Sequence, residues 1–297
     1  MTDSGQTDPN DLEQAVAVFA ELRPRLFGIA YRMLGSVTEA EDLVQDVWLR
    51  WQGADRSSVL NPAAFLATTT TRLAINATQS ARARRETYVG PWLPEPVDTS
   101  ADPHLGAERA EALEFAVLLL MERLTPNERA AYVLREAFDY PYGQIADILQ
   151  LSEPAVRQLV SRARKHVAAE RRAPVAEAEQ RKLLTAFVAA ARAGDFAALE
   201  GMFAADVTSV SDGGGAVRAS KIPVVGATTV AKYYRAFASR FWAGVAVRLA
   251  SVNGQMSALL SQDGQVFAMF TLTASDDGID QLLWVMNPAK LTAVRAA

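Results

Sequence analysis

Apolar residues recur at helical spacing through most of the chain and alternate with polar residues in short runs towards its end. The most informative helical pattern lies between Thr125 and Val167. It predicts a capped helix beginning after Thr125, a second helix over Tyr142–Leu149, and a third helix beginning after Ser152. The third helix has one apolar side, formed by Val156, Leu159, Val160, Ala163 and Val167. Two short helices joined by a tight turn are typical of a helix-turn-helix, whose second helix enters the major groove of DNA.

The opposite side of this third helix is polar and basic. The candidates for DNA contacts on it are Arg157, Gln158, Ser161, Arg162 and Lys165. Arginine and glutamine can form paired hydrogen bonds with base edges, whereas phosphates attract any of the cations. The pattern does not divide the five residues between these two kinds of contact. A purely structural helical hairpin is the alternative interpretation.

Three helices are predicted ahead of this segment. The first covers residues 11–34 with an interruption at Pro24, because proline lacks an amide hydrogen and clashes with the preceding turn. The second covers residues 38–52 and opens with a capping box at Thr38. The third covers residues 62–85 and begins at Pro62, because proline suits the first helical turn.

A proline-rich segment follows these helices. Three prolines fall within Pro91–Pro96, which favours an extended and semi-rigid chain. We therefore predict a linker over residues 86–106, with helices resuming at about 108–124. A second boundary is predicted at Arg171–Pro174.

The rest of the chain, from residue 176 onward, predicts a mixed fold. Helices are expected at 176–193, in a short segment up to Phe203, and at 228–241, the last capped by Thr228 or Thr229. Strands are expected at 207–211, 245–252, 255–262, 265–274 and 279–286. Asn253 with Gly254 and Asp263 with Gly264 are strong hairpin signals between these strands. Helices followed by a curved antiparallel sheet indicate an α+β domain with a concave face.

Composition removes several classes of function. The 297 residues contain no cysteine and only two histidines, so disulfides, thiolate zinc sites and cysteine nucleophiles are excluded and no metal or cofactor is expected. The polar start of the chain is unlike a signal peptide, and no apolar run approaches the ~18 residues of a membrane span, so we expect a cytoplasmic protein without membrane contact. The net charge of −4 argues weakly against nucleic acid, but basic residues concentrate at Arg82–Arg85 and at Arg157–Arg172.

Two blocks of the chain resemble extracytoplasmic-function (ECF) sigma factors of bacterial RNA polymerase. Leu26–Gly35 and Ala40–Arg50 are similar to the first half of sigma region 2, and Leu124–Val167 is similar to region 4. The blocks stand in the expected order. Their combination is far more specific than a helix-turn-helix alone, which repressors, activators and structural helix pairs all share.

The resemblance also implies roles for the predicted helices. The helix over 38–52 resembles the part of region 2 that binds the polymerase β′ clamp, through Asp42, Gln45, Asp46 and Leu49. The helix over 62–85 resembles the part that captures melted minus-ten DNA. On it Arg72 and Asn76 are four residues apart and share a face suited to base edges. The residues expected to follow the phosphates are Thr78, Ser80, Arg82, Arg84 and Arg85. The helix-turn-helix resembles the reader of the minus-thirty-five element.

The last domain resembles the SnoaL-like, NTF2-type fold, which a sigma-J-like subgroup of these factors carries at its C-terminus. Motifs of the subgroup stand at Trp92–Pro96, Asp212–Gly215 and Asn287–Leu291. Ala216 stands where the subgroup usually has lysine, and Ala289 where an acidic residue is common. The resemblance implies regulation in cis through Trp92, Pro94, Glu95, Asp212, Gly213, Gly214, Asn287, Pro288 and Lys290.

The sequence therefore predicts a multidomain sigma factor with two all-α domains and an α+β SnoaL/NTF2-like domain, at residues 11–85, 107–173 and 176–297. It is expected to bind core RNA polymerase through the β′ clamp and the β flap, to bind promoter DNA, and to be monomeric when free. No enzymatic activity is expected. Two alternatives remain: a ligand-sensing transcription regulator with a helix-turn-helix, and a SnoaL-type enzyme. The enzyme's pocket would be lined by Asp206, Asp212, Tyr233 and Tyr234.

Overall fold

A computed structural model describes residues 9–99, 113–170, 172 and 175–294. The second part of the predicted linker, the expected helix start near residue 108, and most of the predicted boundary at 171–174 lie outside these residues. The chain forms two compact units. One combines Met1–Arg82 with Leu124–Ser161, and the other combines Ala83–Arg123 with Arg162–Ala297.

The helices of the described chain follow the predicted order. They are α1 (Pro9–Leu34), α2 (Val37–Gln52), α3 (Pro62–Glu86), α4 (Phe115–Met121), α5 (Pro126–Tyr132), α6 (Tyr142–Leu149), α7 (Glu153–Glu170), α8 (Glu177–Ala193), α9 (Phe196–Met202) and α10 (Ala227–Phe241). Short 3-10 turns lie at Arg56–Ser58 and Pro288–Lys290, and a π-helical turn at Val133–Ala137 follows α5.

Helix α1 continues through Pro24, so the predicted interruption there is wrong. The reason is tertiary packing. Phe19 precedes the proline and Leu26 and Ile29 follow it, and all three side chains are buried. Burial on both sides of the proline offsets the hydrogen bond that its missing amide removes.

Helix α2 is capped by Ser36 rather than by Thr38, which corrects the predicted start. Ser36 is extended, and its hydroxyl accepts a hydrogen bond from the amide of Glu39 at 3.2 Å. Two overlapping capping patterns occur in this stretch, and the first is used because Gly35, with a φ of 67°, ends α1 immediately before Ser36.

Helix α3 includes a run of β-branched threonines that is locally unfavourable for a helix. The hydroxyls of Thr69, Thr70 and Thr71 each donate to the carbonyl four residues earlier, all at 2.8 Å. Thr70 and Thr71 are buried. Tertiary burial and these local hydrogen bonds therefore keep the segment helical.

The predicted helix-turn-helix is present. Thr125 caps α5 in a complete capping box with Glu128. Gln150, with a φ of 55°, ends α6 in the left-handed conformation, and the hydroxyl of Ser152 accepts from the amide of Ala155 at the start of α7. The five apolar residues predicted as the inner side of α7 are all buried.

The last domain is built on a six-stranded sheet in the order β2-β1-β6-β5-β4-β3. The strands are β1 (Phe203–Asp212), β2 (Val224–Val225), β3 (Ala246–Val252), β4 (Gln255–Gln262), β5 (Gln265–Ser275) and β6 (Gly278–Val285). β1 pairs parallel with β6, and every other pair is antiparallel. Both predicted hairpin turns form, with positive φ at Asn253, Gly254, Asp263 and Gly264.

Two details of this domain differ from the prediction. Strand β2 has only two residues, too few for an alternating pattern, and was not predicted. Helix α10 is capped by Gly226 without a side-chain hydrogen bond. The Thr228 hydroxyl instead donates to the Glu200 carboxylate at 2.6 Å, so it is not available as a cap.

The sheet is covered on both faces. One face packs against α8 and α10, with Phe187, Tyr234 and Trp284 in the core. The other face packs against Leu93 of the linker, Phe115 of α4 and Leu291 near the chain end. The linker and α4 are thus part of the same compact unit as the sheet. Among the described residues, no helix is long and apolar enough to cross a membrane.

Candidate functional site

The predicted minus-thirty-five readers lie on the exposed side of α7. Arg157, Gln158, Ser161, Arg162 and Lys165 are all exposed, opposite the buried stripe. Arg157 bonds to Glu153 one turn earlier, with its Nε 3.1 Å from the carboxylate, and lies over the ring of Tyr142 at 4.3 Å. These contacts hold one guanidinium above the start of α7, where base-contacting residues of such motifs stand.

The predicted minus-ten readers line one cavity. Arg72 and Asn76 are exposed on α3, and the same cavity is lined by Phe65 and by Arg50 at the end of α2. An aromatic ring, an amide and two guanidinium groups are the groups that stack with and hydrogen-bond to an unpaired base. Arg50 was not predicted, because its helix was interpreted as a polymerase contact only.

The guanidinium of Arg72 is hydrogen-bonded to another helix of the protein in this conformation. Its Nε donates to the carbonyl oxygen of Ile148 at 3.0 Å, and its Nη2 lies 3.4 Å from the carbonyl oxygen of Asp147. Both acceptors belong to the last turn of α6, where carbonyls have no helical partner and attract cations. Arg72 therefore joins α3 to the helix-turn-helix within the first compact unit.

Further contacts join α1 to α5 and to the segment after it in the same unit. Arg25 donates to the carbonyl oxygen of Phe138 at 3.1 Å and lies over the ring of Tyr140. The Arg129 Nε donates to the carbonyl oxygen of Arg32 at 3.0 Å, and both of these side chains are buried. The two predicted sigma regions thus share polar contacts, one of them buried.

The residues predicted to contact DNA phosphates separate into exposed residues and residues bound within the protein. Ser80, Arg82 and Arg84 are exposed near the end of α3. Thr78 is buried and donates to the carbonyl of Ala74 at 2.7 Å, so its predicted contact with DNA is wrong for this conformation. Arg85 is likewise bound within the protein, by Trp92 and Glu122.

The predicted polymerase-binding residues form one exposed face of α2. Asp42, Gln45, Asp46 and Leu49 all face solvent, and Leu49 is 57% exposed. The opposite face of the helix is buried through Leu43, Val44, Val47 and Trp51. An exposed leucine beside two carboxylates is a mixed apolar and acidic surface of the kind that protein partners use.

Two of the predicted regulatory residues, Asn287 and Lys290, lie around the carboxylate of Asp212, which is fully buried at the end of β1. Its other partners, Tyr88 and Leu93, were not predicted. One carboxylate oxygen accepts from the Tyr88 hydroxyl at 2.6 Å. The other accepts from the amide of Leu93 at 2.9 Å and pairs with the Lys290 ammonium at 2.7 Å. We call Tyr88, Leu93, Asp212, Asn287 and Lys290 the Asp212 cluster.

Asn287 completes the Asp212 cluster. Its side-chain amide donates to the Tyr88 oxygen at 2.8 Å, and its own backbone amide donates to the Asp212 carbonyl at 2.9 Å. Its side-chain oxygen accepts from Ala289, which forms the turn that carries Pro288. Burial and the neighbouring carboxylate raise the pKa of Tyr88 well above its usual range. Burial lowers the pKa of Lys290, although Asp212 opposes that shift.

The glycines after Asp212 permit this close approach. A Cβ at Gly214 would lie 2.2 Å from the Asn287 side-chain nitrogen, and one at Gly213 would lie 2.7 Å from the Val217 carbonyl oxygen. Ala216, which replaces the usual lysine, is exposed. The Asp212–Gly215 motif is therefore a contact site and not only a turn.

The linker residues Trp92 and Arg85 extend the Asp212 cluster. The Arg85 guanidinium lies over the Trp92 ring at 3.6 Å and pairs with Glu122, and the Lys290 ammonium lies 4.4 Å from the centre of the same ring. Pro94 is buried and Glu95 is half-buried beside them. The predicted phosphate contact of Arg85 is therefore wrong for this conformation.

Asn253 binds the linker at Val97, beyond the Asp212 cluster. It was not predicted as a functional residue. Its side-chain oxygen accepts from the amide of Val97 at 2.8 Å, and its side-chain nitrogen donates to the carbonyl of Leu113 at 3.1 Å. Its own amide donates to the Val97 carbonyl at 2.9 Å. The hairpin signal identified the turn, but a turn signal carries no information on what its side chain binds.

The residues considered for an enzymatic pocket do not come together. Tyr233 and Tyr234 line a cavity between α10 and the sheet. Asp206 instead pairs with Arg172 at 2.6 Å on the surface, and Asp212 belongs to the cluster described above. The idea that all four residues line one pocket is wrong. Among the described residues, no group of three or more acidic, histidine or cysteine side chains is arranged to hold a metal ion.

Comparisons with known proteins agree with one another. The sequence-family description "Sigma-70 region 2" matches residues 18–84, and "Sigma-70, region 4" matches residues 114–167. The chain is 37% identical over 291 residues to the ECF RNA polymerase sigma factor SigJ of Mycobacterium tuberculosis, covering 93% of each chain. It is 30% identical to the probable ECF RNA polymerase sigma factor SigI of the same organism, covering 92% of this chain and 93% of that one.

Among solved structures, the chain resembles the crystal structure of Mycobacterium tuberculosis SigJ. The TM-score is 0.76 at 32% identity, over 95% of this chain and all of that one. The likeness therefore extends beyond the two sigma regions into the sheet-containing domain.

Proposed function

The chain belongs to the ECF family of RNA polymerase sigma factors, which act in transcription initiation with core RNA polymerase and promoter DNA, and from this membership we propose how its residues divide that work. Helix α3 reads the minus-ten element through Arg72 and Asn76. Helix α7 reads the minus-thirty-five element through its exposed basic face. The observation that carries the proposal is the cavity shared by Arg72, Asn76, Phe65 and Arg50, which is suited to an unstacked base.

Core polymerase is contacted by two separate surfaces in this proposal. The exposed face of α2 binds the β′ clamp through Asp42, Gln45, Asp46 and Leu49. The part around the helix-turn-helix binds the β flap. The division into domains at residues 11–85, 107–173 and 176–297 belongs to the same proposal, and so does a monomeric state for the free protein.

The sheet-containing domain regulates the sigma regions by holding the linker that connects them. The support is the number of linker groups bound to this domain: the Tyr88 hydroxyl and the Leu93 amide on Asp212, and the Val97 backbone on Asn253. A promoter reader with two elements depends on the distance between its two reading helices. A linker held at several points restricts that distance.

The conformation with Arg72 bound to α6 is an inactive one in this proposal. A guanidinium whose Nε and Nη2 edge donates to the carbonyls of Ile148 and Asp147 cannot offer that edge to a base in a paired hydrogen bond. The α6 contact must therefore open before α3 reads DNA. Binding to polymerase, which separates the two reading helices along the promoter, supplies the free energy for that opening.

The domain carries no catalytic activity in this proposal. Its cavity is lined by two tyrosines and two arginines but by no carboxylate or histidine, which are the side chains that most often transfer protons in enzymes. The ligand-sensing alternative has one observation in its favour, which is the cavity itself.

Run-off transcription from a library of random templates tests the proposal. Core polymerase with the full-length chain should enrich templates that carry two conserved elements at a preferred spacing. Core polymerase alone should enrich none of them. If the full-length chain and a Tyr88→Phe variant with a loosened linker both fail to give promoter-dependent transcripts, the assignment of reading helices is wrong.

A further inference from the structure

The sheet-containing domain has a cavity for which the proposed sigma functions have no use. It lies between α10 and the sheet and encloses about 450 Å³, within the ~300–1,000 Å³ typical of small-molecule sites. Its walls are mainly aromatic. The aromatic lining residues are Tyr233, Tyr234, Phe237, Phe241, Trp242 and Trp284.

The aromatic walls are both ordered and accessible. Trp284 stacks on Phe270 at 4.2 Å, and its indole nitrogen donates to the Tyr234 oxygen at 2.6 Å. That hydroxyl also bonds to Ser209 at 2.7 Å, so the deepest polar groups already have partners. At the open end of the cavity, the side chain of Phe237 is 47% exposed, which is unusual for so large an apolar side chain. The cavity therefore has a rigid floor and an open aromatic entrance.

The charge of the lining is entirely positive. Arg218 and Arg240 line the cavity, and no aspartate or glutamate does. Both side chains are exposed, and neither has an ion pair or hydrogen bond with any residue of the described chain. Burial raises the pKa of both Tyr233 and Tyr234, so the two phenols stay neutral.

The geometry points to a binding site for a small aromatic anion. Its planar ring system lies among Tyr233, Phe237 and Trp284, where edge and face contacts between rings are favourable. Its carboxylate is bound by Arg218 and Arg240, whose guanidinium groups match a carboxylate with paired hydrogen bonds.

The cavity is joined to the Asp212 cluster by short covalent and hydrogen-bonded connections. Ser211 and Met286 line the cavity, and they stand next to Asp212 and Asn287 in sequence. The Met286 amide donates to the Asp212 carbonyl at 2.8 Å. The loop that carries Arg218 begins directly after Asp212 and is closed by hydrogen bonds that the backbone amides of Ala216 and Val217 donate to the Gly213 carbonyl. An anion that binds Arg218 therefore acts on the segment that holds the linker; the regulatory meaning of this coupling rests on the proposed function.

Isothermal titration calorimetry of the full-length protein with 2-naphthoate tests the binding site. We expect saturable binding with a stoichiometry of one. The neutral isostere 2-naphthamide should bind about tenfold more weakly or worse, because charge-assisted hydrogen bonds to the carboxylate are lost. The double variant Arg218→Gln, Arg240→Gln should weaken naphthoate binding by a similar factor. The matched control is Arg235→Gln, an exposed arginine of the same helix that does not line the cavity and lies over Phe196.

The outcomes are distinct from those of the transcription experiments, because no polymerase is present. Absence of saturable binding at millimolar naphthoate would overturn the site, as would equal affinity for the acid and the amide or an equal loss in the control variant.

Coupling between the cavity and the linker is measured by amide hydrogen exchange at Leu93, whose amide donates a hydrogen bond to Asp212. Naphthoate should change that exchange rate in the wild type and not in the double variant. An unchanged rate at saturating naphthoate would refute the coupling and leave the binding site intact.

Discussion

At the scale of single residues, the buried carboxylate of Asp212 connects segments far apart in the sequence. It bonds to Tyr88 and Leu93 of the linker and to Lys290 near the chain end. Breaking a buried pair by removing one partner typically destabilises a protein by about 3–5 kcal/mol, because the other charge stays buried. The Asp212 cluster is therefore stable only when the linker and the chain end are both in place.

The Tyr88 hydroxyl gives this cluster a dependence on pH. Because the folded protein raises the pKa of Tyr88, the unfolded chain loses the phenolic proton first, near its ordinary pKa of about 10. The stabilisation from this phenol is complete below about pH 10 and declines as the pH rises further. The difference in free energy of unfolding between the wild type and Tyr88→Phe should therefore be constant from about pH 7 to 9 and shrink above about pH 10.

Urea unfolding at a series of pH values measures this difference. Effects of Lys290 and other groups present in both proteins largely cancel in the comparison. A difference that stays constant up to about pH 11 would show that the hydroxyl is not held in its protonated form by the fold.

At the scale of elements, the turn after β1 depends on the absence of a side chain at Gly214. Gly214→Ala should destabilise the protein by about 1–3 kcal/mol beyond the strain of a positive φ, because its Cβ would overlap Asn287. The control is Gly264→Ala, which also has a positive φ but no atom within 4 Å of the added Cβ. Equal destabilisation of the two variants in thermal unfolding would contradict the close contact with Asn287.

Most helices and strands can be predicted from local sequence patterns, and most of the incorrect predictions concern residues governed by burial or by partners remote in sequence. Helical periodicity predicts α2, α3, α6 and α7, and paired turn residues predict both hairpins. Pro24, Thr78 and Arg85 were misinterpreted because each is governed by a partner remote in sequence or by burial. The same holds for Asn253, whose role depends on linker atoms more than 100 positions away. Periodicity contains no information of that kind.

For the site residues, exposure can be predicted from the local sequence, but contacts with remote elements cannot. Exposure of the α2 and α7 faces follows from which positions are apolar, and Arg72 and Asn76 share a cavity because they are one helical turn apart. The hydrogen bonds of Arg72 to Ile148 and Asp147 do not follow from any local pattern. They require two elements separated in sequence to pack in one compact unit.

At the scale of the whole molecule, the linker held by the sheet-containing domain should restrict promoter spacing. In Asn253→Gly the backbone can keep its positive φ, because glycine adopts this conformation readily. The variant loses the side-chain hydrogen bonds to Val97 and Leu113, which lowers the free energy of holding the linker by about 1–3 kcal/mol. Run-off transcription on promoters with different spacer lengths should then show a broader spacing preference than the wild type. Asp263→Gly is the control, because Asp263 occupies the same position in the next hairpin and is exposed. An identical spacing profile for Asn253→Gly and the wild type would mean that the linker contacts do not regulate spacing.

The most direct test of the account is promoter-dependent transcription by Asn76→Ala and Gln79→Ala with core polymerase. Both residues are exposed amides on α3, but only Asn76 lines the cavity with Arg72. Loss of a base contact worth about 1–3 kcal/mol should lower run-off output from a selected promoter by roughly 5- to 150-fold for Asn76→Ala, with specificity relaxed at one minus-ten position. Gln79→Ala should transcribe like the wild type. Equal output from Asn76→Ala and the wild type, at every base of the minus-ten element, would contradict the account.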